Sequence, residues 1–383
     1  MDNFLSPLIR RLRLVLPVIL LVVSGCQSAQ DITYEAQRAT APQLKKHFPN
    51  PIEVGVGVVG YSPDGRYFFN ADPGNKVVVY SSDNQGPTVV LDFPWPLSLS
   101  QKKGAGFLDS SIFYYASQRR ARGQTIYGVK VWSLDSNTEI FSYDFSESHG
   151  EDSIVAKGDF VAYDNEMVNW RTGNKYKVRI AHSAMPLDYA LTASGKVLSA
   201  NYYNDDILLH DPQTDTALQW DSGLSNFRSA ITQGEGYVIA QANDGGCRVW
   251  PVPALKPVQS CGSGGWSDDH YALIAPHPTD DSFAVSAGGR VEVYRLVEDR
   301  FQRVFSRTLA NEVTALSLSA DYRVAIGDNT SHLEVWDSVQ GTLLAQTDLN
   351  LSFGSELLRF SPSGKQLLYG EGHLRLHVFD IPE

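Results

Sequence analysis

The sequence predicts an all-β chain: an eight-bladed β-propeller of four-stranded blades, closed by a strand taken from before the first blade. Three observations carry that prediction. A short apolar or β-branched run with an aromatic or other ring at its end recurs at Val79-Tyr80, Val131-Trp132, Asn169-Trp170, Leu209-His210, Val249-Trp250, Val293-Tyr294, Val335-Trp336 and Val378-Phe379. These ends stand 52, 38, 40, 40, 44, 42 and 43 residues apart, the period of a propeller blade. Turn-forming residues flank the runs, as in Ser62-Pro63-Asp64-Gly65 and Ser361-Pro362-Ser363-Gly364 upstream and Asp135-Ser136-Asn137 and Asp211-Pro212-Gln213 downstream. No segment keeps a helical period.

The first residues read as an export signal. Arg10, Arg11 and Arg13 precede an apolar run, Leu14 to Val23, that is short for a membrane-spanning helix. The run closes on Val23-Ser24-Gly25-Cys26, which resembles the lipobox of bacterial lipoproteins. The resemblance implies a signal peptide over 1–25, cleavage before Cys26 and acylation of that cysteine. Several acyl chains hold a protein to a membrane, each buried methylene contributing roughly 0.8 kcal/mol. Gln27 in place of aspartate implies sorting to the outer membrane by the enteric rule, with the chain facing the periplasm. Residues 26–50 are polar and read as a lipidated, flexible tether; the propeller is expected over 51–383.

The formal net charge is −11. Removing residues 1–25 takes away three arginines and one aspartate, so the mature charge is −11 − 3 + 1 = −13. Such a balance favours solubility and excludes a nucleic-acid backbone as the expected partner. Beyond Cys26 the cysteines are Cys247 and Cys261, on either side of a proline-rich turn from Pro251 to Pro257. Folding that stretch as a hairpin about Ala254 sets the two opposite each other, so a disulfide is expected in an oxidising compartment.

The units resemble WD repeats from about Ile52 onward. Val335-Trp336-Asp337 and the Ser-Pro-Asp-Gly turn match best. The Gly-His dipeptide of that family, which feeds a hydrogen-bond network inside the blade, is absent, so apolar packing is expected to hold these blades together. The departures leave room for another eight-bladed type such as the quinoprotein-like fold. The eighth unit reaches Asp380 after only three strands, and residues near Ile52 to Val56 are expected to complete it.

Other motifs carry less. Gly55-Val56-Gly57-Val58-Val59-Gly60 fits a dinucleotide fingerprint literally, but Tyr61-Ser62-Pro63-Asp64-Gly65 follows it where a helix is required. His373 and His377 share a strand face about 13 Å apart, too far for one metal ion. No metal, cofactor or catalytic residue is expected. The turns between second and third strands contain Asp72, Asp164, Glu166, Asp205, Asp206, Asp244, Asp328 and Glu371, which tight turns favour on their own account.

The second unit is long, and its insertion carries Arg119, Arg120 and Arg122 with Tyr114, Tyr115 and Tyr127 nearby. A basic, aromatic-flanked loop on an acidic chain suits partner docking; a solvated loop is the other reading. The sequence thus points to a monomeric, non-enzymatic scaffold for envelope proteins. A periplasmic enzyme or small-ligand binder using the central channel is the alternative.

Overall fold

A computed structural model describes residues 29–53, 57–72, 76–84, 86–92, 104–121, 124–145, 154–181, 188–200, 205–224, 227–253, 259–262, 272–349, 357–371 and 375–382. The chain divides into two units, Met1–Pro42 and Gln43–Glu383.

In the first unit Ala29–Thr40 forms an α-helix, within the stretch read as flexible tether. The segment holds neither glycine nor proline, and Ala, Gln, Glu and Arg are strong helix formers. Thr40 Oγ1 donates to the Ala36 carbonyl at 3.1 Å, and Pro42 follows, where a helix cannot continue. Among the described residues no helix is long and apolar enough to cross a membrane.

The second unit is built from eight antiparallel sheets, each a four-strand meander in sequence order apart from the last. The innermost strands are Val58–Tyr61, Ala105–Phe107, Val155–Lys157, Asp188–Leu191, Phe227–Ile231, Leu273–Pro276, Val313–Leu318 and Leu357–Phe360. Each contacts the innermost strand of the next blade, and Leu357–Phe360 contacts Val58–Tyr61, so the ring is closed. Apolar side chains fill the wedges between blades. Trp220 and Leu209 of blade 4 pack on Phe227, Val238 and Trp250 of blade 5; Phe68 and Tyr80 of blade 1 pack on Leu368, Leu376 and Val378 of blade 8. The alternation of a strand sends successive residues to opposite neighbours.

Closure uses the N-terminal segment as expected, but as two pieces. Lys45–Lys46 and Ile52–Glu53 both pair antiparallel with Arg375–Asp380, Lys45 opposite Asp380 and Ile52 opposite Leu376. Pro49 and Pro51 have no amide hydrogen to give a ladder, which breaks the strand between them. The closing segment therefore reaches back to Lys45; Val54 to Val56 lie outside the described residues. His47 latches the seam: its amide donates to Val378 O at 2.8 Å, Nδ1 meets Asp380 Oδ1 at 2.8 Å and Nε2 lies 3.0 Å from Ser82 O of blade 1. Leu44, Phe48 and Ile52 are buried against blades 7, 8 and 1.

The turn between first and second strands repeats one device. A buried hydroxyl accepts the amide that opens the second strand: Ser62 from Tyr67 at 3.0 Å, Thr192 from Lys196 at 2.9 Å, Thr232 from Tyr237 at 3.2 Å, Ser319 from Arg323 at 2.8 Å and Ser361 from Gln366 at 3.0 Å. Gly65, Gly195 and Gly364 take the left-handed position in these turns, whereas Glu235 and Tyr322 occupy it with φ of 59° and 63°. Both of these reach the turn of the preceding blade. Glu235 accepts from the Ser194 amide at 2.9 Å. Tyr322 stacks on His277, ring centroids 4.4 Å apart, and donates to Asp280. Gly234 N donates to Asp281 Oδ1 at 3.0 Å, so the turns of blades 4 to 7 form a bonded belt. The contact offsets the roughly 1–2 kcal/mol a non-glycine residue pays there.

Apolar packing is not the whole account of blade cohesion. Glu292 and Glu334 occupy one register position in blades 6 and 7 and are buried. Glu292 accepts from Tyr294 at 2.7 Å, Arg303 at 2.8 Å and Arg290 at 2.9 Å; burial pushes its carboxyl up, but these partners hold it below the usual range. Glu334 accepts from Trp336 Nε1 at 2.7 Å and meets His332 at 3.1 Å. His332 in turn meets Asp348 at 2.6 Å. Blades 6 and 7 thus carry a polar network built on glutamate, which in blade 7 gives the buried Trp336 indole N–H its acceptor.

Candidate partner-binding surface

Each blade is a meander, so its first and third turns emerge at one end of the ring and its middle turn and outgoing connection at the other. The first end is a turn face, the second a connection face. The connection face holds the insertion of blade 2. There the second and third strands run Ile112–Ala121 and Gln124–Ser133, against Tyr67–Asp72 and Lys76–Ser81 in blade 1. Aligning Phe113–Trp132 with Phe68–Tyr80, blade 1 ends its pairing at Asp72–Lys76, whereas blade 2 adds Gln118–Tyr127, Arg119–Ile126, Arg120–Thr125 and Ala121–Gln124. Four further pairs at about 3.3 Å each carry the hairpin about 13 Å past the neighbouring rim.

Its base is fixed. Phe145 N donates to Tyr127 O at 2.8 Å, and the Tyr127 ring packs on Tyr163 with centroids 5.5 Å apart. At Gly128 a Cβ would stand 2.7 Å from Tyr143 O and 2.9 Å from Ser117 Oγ, so only glycine admits the fourth strand this close. Arg119 and Arg120 lie in the projecting part of the strand; Arg122 is outside the described residues.

Tyr114 and Tyr115, read from the sequence as docking residues, are instead buried in the core. The strand period turns Tyr114 toward Val161 and Tyr163 of blade 3 and Tyr115 toward Phe69 and Val77 of blade 1. Burial pushes the Tyr114 phenol well up and takes Tyr115 to about 12. Of the three tyrosines only Tyr127 stands at the hairpin.

The acidic turn residues are engaged locally. Asp328 Oδ1 accepts from Thr330 N at 2.9 Å and His332 N at 3.0 Å, and Asp244 Oδ1 accepts from Gly246 N at 2.8 Å. Glu371 meets His377 Nε2 at 2.8 Å, and Glu166 accepts from Tyr143. Asp164 and Asp205 adopt φ of 50° and 57°, a left-handed conformation that aspartate tolerates. Asp206 opens the third strand of blade 4, and Asp72 pairs through its backbone with Lys76. Among the described residues no three metal-ligating side chains come together. Cys247 and Cys261 face each other across the third and fourth strands of blade 5 as a disulfide, Cα atoms 4.6 Å apart, inside the apolar layer against blade 6. Cys26 and His373 lie outside the described residues.

No family model matches the chain, and no curated protein matches it. Solved structures do. The computationally designed Ika8 protein superposes with a TM-score of 0.65 at 15% identity, covering 88% of this chain and 100% of its own. The C-terminal WD40 domain of Sif2 superposes with a TM-score of 0.65 at 12% identity, covering 90% and 99%. At such identities the likeness speaks to fold alone. Taken with the eight closed sheets, it makes the chain an eight-bladed β-propeller of WD-repeat-like blades.

Proposed function

We propose that this chain is a membrane-anchored, non-enzymatic scaffold of the bacterial cell envelope, lipidated on Cys26 and presenting the connection face to protein partners. The observation that carries the reading is the blade 2 hairpin, which stands past its neighbouring rim on a base fixed by the Gly128 contact. A rigid ring lends such an element low ordering cost on binding, and arginine with tyrosine suits it to an acidic or aromatic surface. The fold is one that commonly serves as an interaction platform, and the mature charge of −13, −11 − 3 + 1 over residues 26–383, disfavours flat binding to anionic lipid. The basic hairpin on this acidic body gives the partner a direction of approach.

Crosslinking from intact membranes, followed by affinity recovery, tests the reading. A chain whose Gln118–Tyr127 segment is replaced by Asn-Gly should keep its fold and lose its partners. Unchanged recovery would remove the hairpin from the interface. Cys26→Ala should release the chain from the membrane fraction; a variant that still sediments with membranes would exclude the lipid anchor.

A further inference from the structure

Tracing the residue before each third-strand ring residue inward through the pairing registers marks one position on every inner strand. The eight residues are Gly60, Gly106, Lys157, Ala190, Ala230, Ala275, Ser317 and Arg359. Six are small; at Gly60 and Gly106 a Cβ would stand 2.9 Å from the Phe69 and Tyr114 rings. The other two are cations. This level lies close to the turn-face mouth of the channel: Ser317 and Arg359 stand one residue inside Leu318 and Phe360, the last residues of their strands.

Arg359 is exposed to solvent although its strand is the innermost of blade 8, which sets it on the channel wall. Among the described residues its guanidinium has one bond, from Nη1 to the Leu358 carbonyl at 2.7 Å. Burial alone acts on it, drawing its pKa down, with no carboxylate in opposition. Lys157 Nζ donates to Gln233 Oε1 at 2.9 Å, on the same mouth; burial lowers its pKa against the opposing pull of Glu235. Arg228 lies two residues deeper on the blade 5 inner strand. The one carboxylate on the inner strands is Asp188, of blade 4.

The acids of the turn face are held elsewhere. Asp64 pairs with Arg66, Asp321 with Arg323, Glu235 with Ser194 and Lys196, Asp280 with Tyr322, and Asp281 with the Gly234 amide. An acidic protein thus places Lys157, Arg228 and Arg359 on its described inner strands, and among the described residues the Leu358 carbonyl is the acceptor given to the Arg359 guanidinium. A solvent-facing guanidinium with spare donors can bind an anion, and its planar fork fits two oxygens of one anion.

We propose that the turn-face mouth of the central channel binds a small oxyanion, gripped by Arg359 within the field of Lys157 and Arg228. This site is independent of the connection face, so it stands or falls apart from the scaffold reading. The test titrates the purified full chain with phosphate, and separately with succinate, at fixed ionic strength, by calorimetry and by thermal unfolding. Saturable binding and a raised Tm are expected. Arg359→Gln should weaken binding by about tenfold or more, as loss of a bidentate charged contact does.

Ser317 Oγ accepts from Phe360 N at 3.2 Å, one residue from Arg359. Ser317→Asp therefore supplies an internal counter-ion, and should unfold no earlier than the parent while losing its response to the anion. Preference for phosphate or for succinate identifies a phosphoryl or a carboxylate ligand, and either supports the site. No saturable response to either anion, or an undiminished response in Ser317→Asp or in a folded Arg359→Gln, would overturn it. If Arg359→Gln does not fold, Ser317→Asp decides alone.

Discussion

The two faces of the ring are made by different rules. On the turn face the links between first and second strands are short and alike, and most open with a buried Ser or Thr hydroxyl. Blades 4 to 7 bond to one another through them. On the connection face the links run from the short step between Thr308 and Val313 to the long one between Asp92 and Ala105, and one blade raises a hairpin. The difference teaches where the chain keeps its architecture and where it has latitude. A turn that satisfies its neighbour's donors cannot change length without unpairing both, whereas a connection over the rim can.

That division can be broken deliberately. The largest effect should come from the seam. Deleting Leu44 to Glu53 removes three buried apolar side chains and the latch of His47, a loss on the order of 5 kcal/mol or more. The ring should unfold or aggregate through its bared edge strand. A deletion as stable by thermal melting as the parent would refute closure.

The disulfide comes next. Cys247 and Cys261 are 14 residues apart in sequence, a loop for which a bridge contributes about 3 kcal/mol. Reduction, or Cys247→Ser with Cys261→Ser, should lower the unfolding midpoint accordingly, and intact mass with and without reductant checks the bridge itself. In the belt, Glu235→Gly and Tyr322→Gly each relieve a left-handed residue. Each should nonetheless destabilise by about 1 kcal/mol, because an interblade contact disappears. A gain in stability would mean that the belt contributes nothing.

Histidines give the pH signature. Burial draws His210, His277 and His377 below the usual imidazole range, against the pull of nearby acids. A lowered folded pKa means that stability is lost as pH falls from about 6.5 through the folded value. His332 is opposite: burial would lower it, but its bonds to Glu334 and Asp348 outweigh that and leave it raised. Its contribution is full below about 6.5 and fades as pH rises through the raised value. Denaturant titrations should show stability declining from pH 7 to pH 5, and more steeply in His332→Gln. The smallest change in stability, within about 0.5 kcal/mol, is expected for Arg119, Arg120 and Arg122 all replaced by alanine. The expected readout for that variant is partner recovery.

Legibility followed the same line between faces. The blade period was carried by Val-aromatic pairs such as Val335-Trp336, and the turns by residues such as Ser62 and Gly65, because strand alternation and tight turns are set within a few residues. The disulfide was legible for the same reason: two cysteines share one hairpin. The glutamates at 292 and 334 look like exposed strand residues until the next blade covers them. Tyr114 and Tyr115 look like partners of the nearby arginines, yet alternation sends each into a different wedge. Glu235 and Tyr322 carry no local signal at all, since what justifies them is a contact with the preceding blade.

By itself, then, the sequence determined the number of blades, their order, the need for an N-terminal strand and the place of the long hairpin, all of which depend on spacing along the chain. Only the tertiary structure decided which polar groups face one another across a wedge, how the closing strand divides at its prolines, and which eight residues share one level of the inner strands. Those are relations between segments tens to hundreds of residues apart. They arise from the closing of the ring, which brings Lys157 and Arg359 to one mouth although nothing in their own neighbourhoods distinguishes them from solvated strand residues.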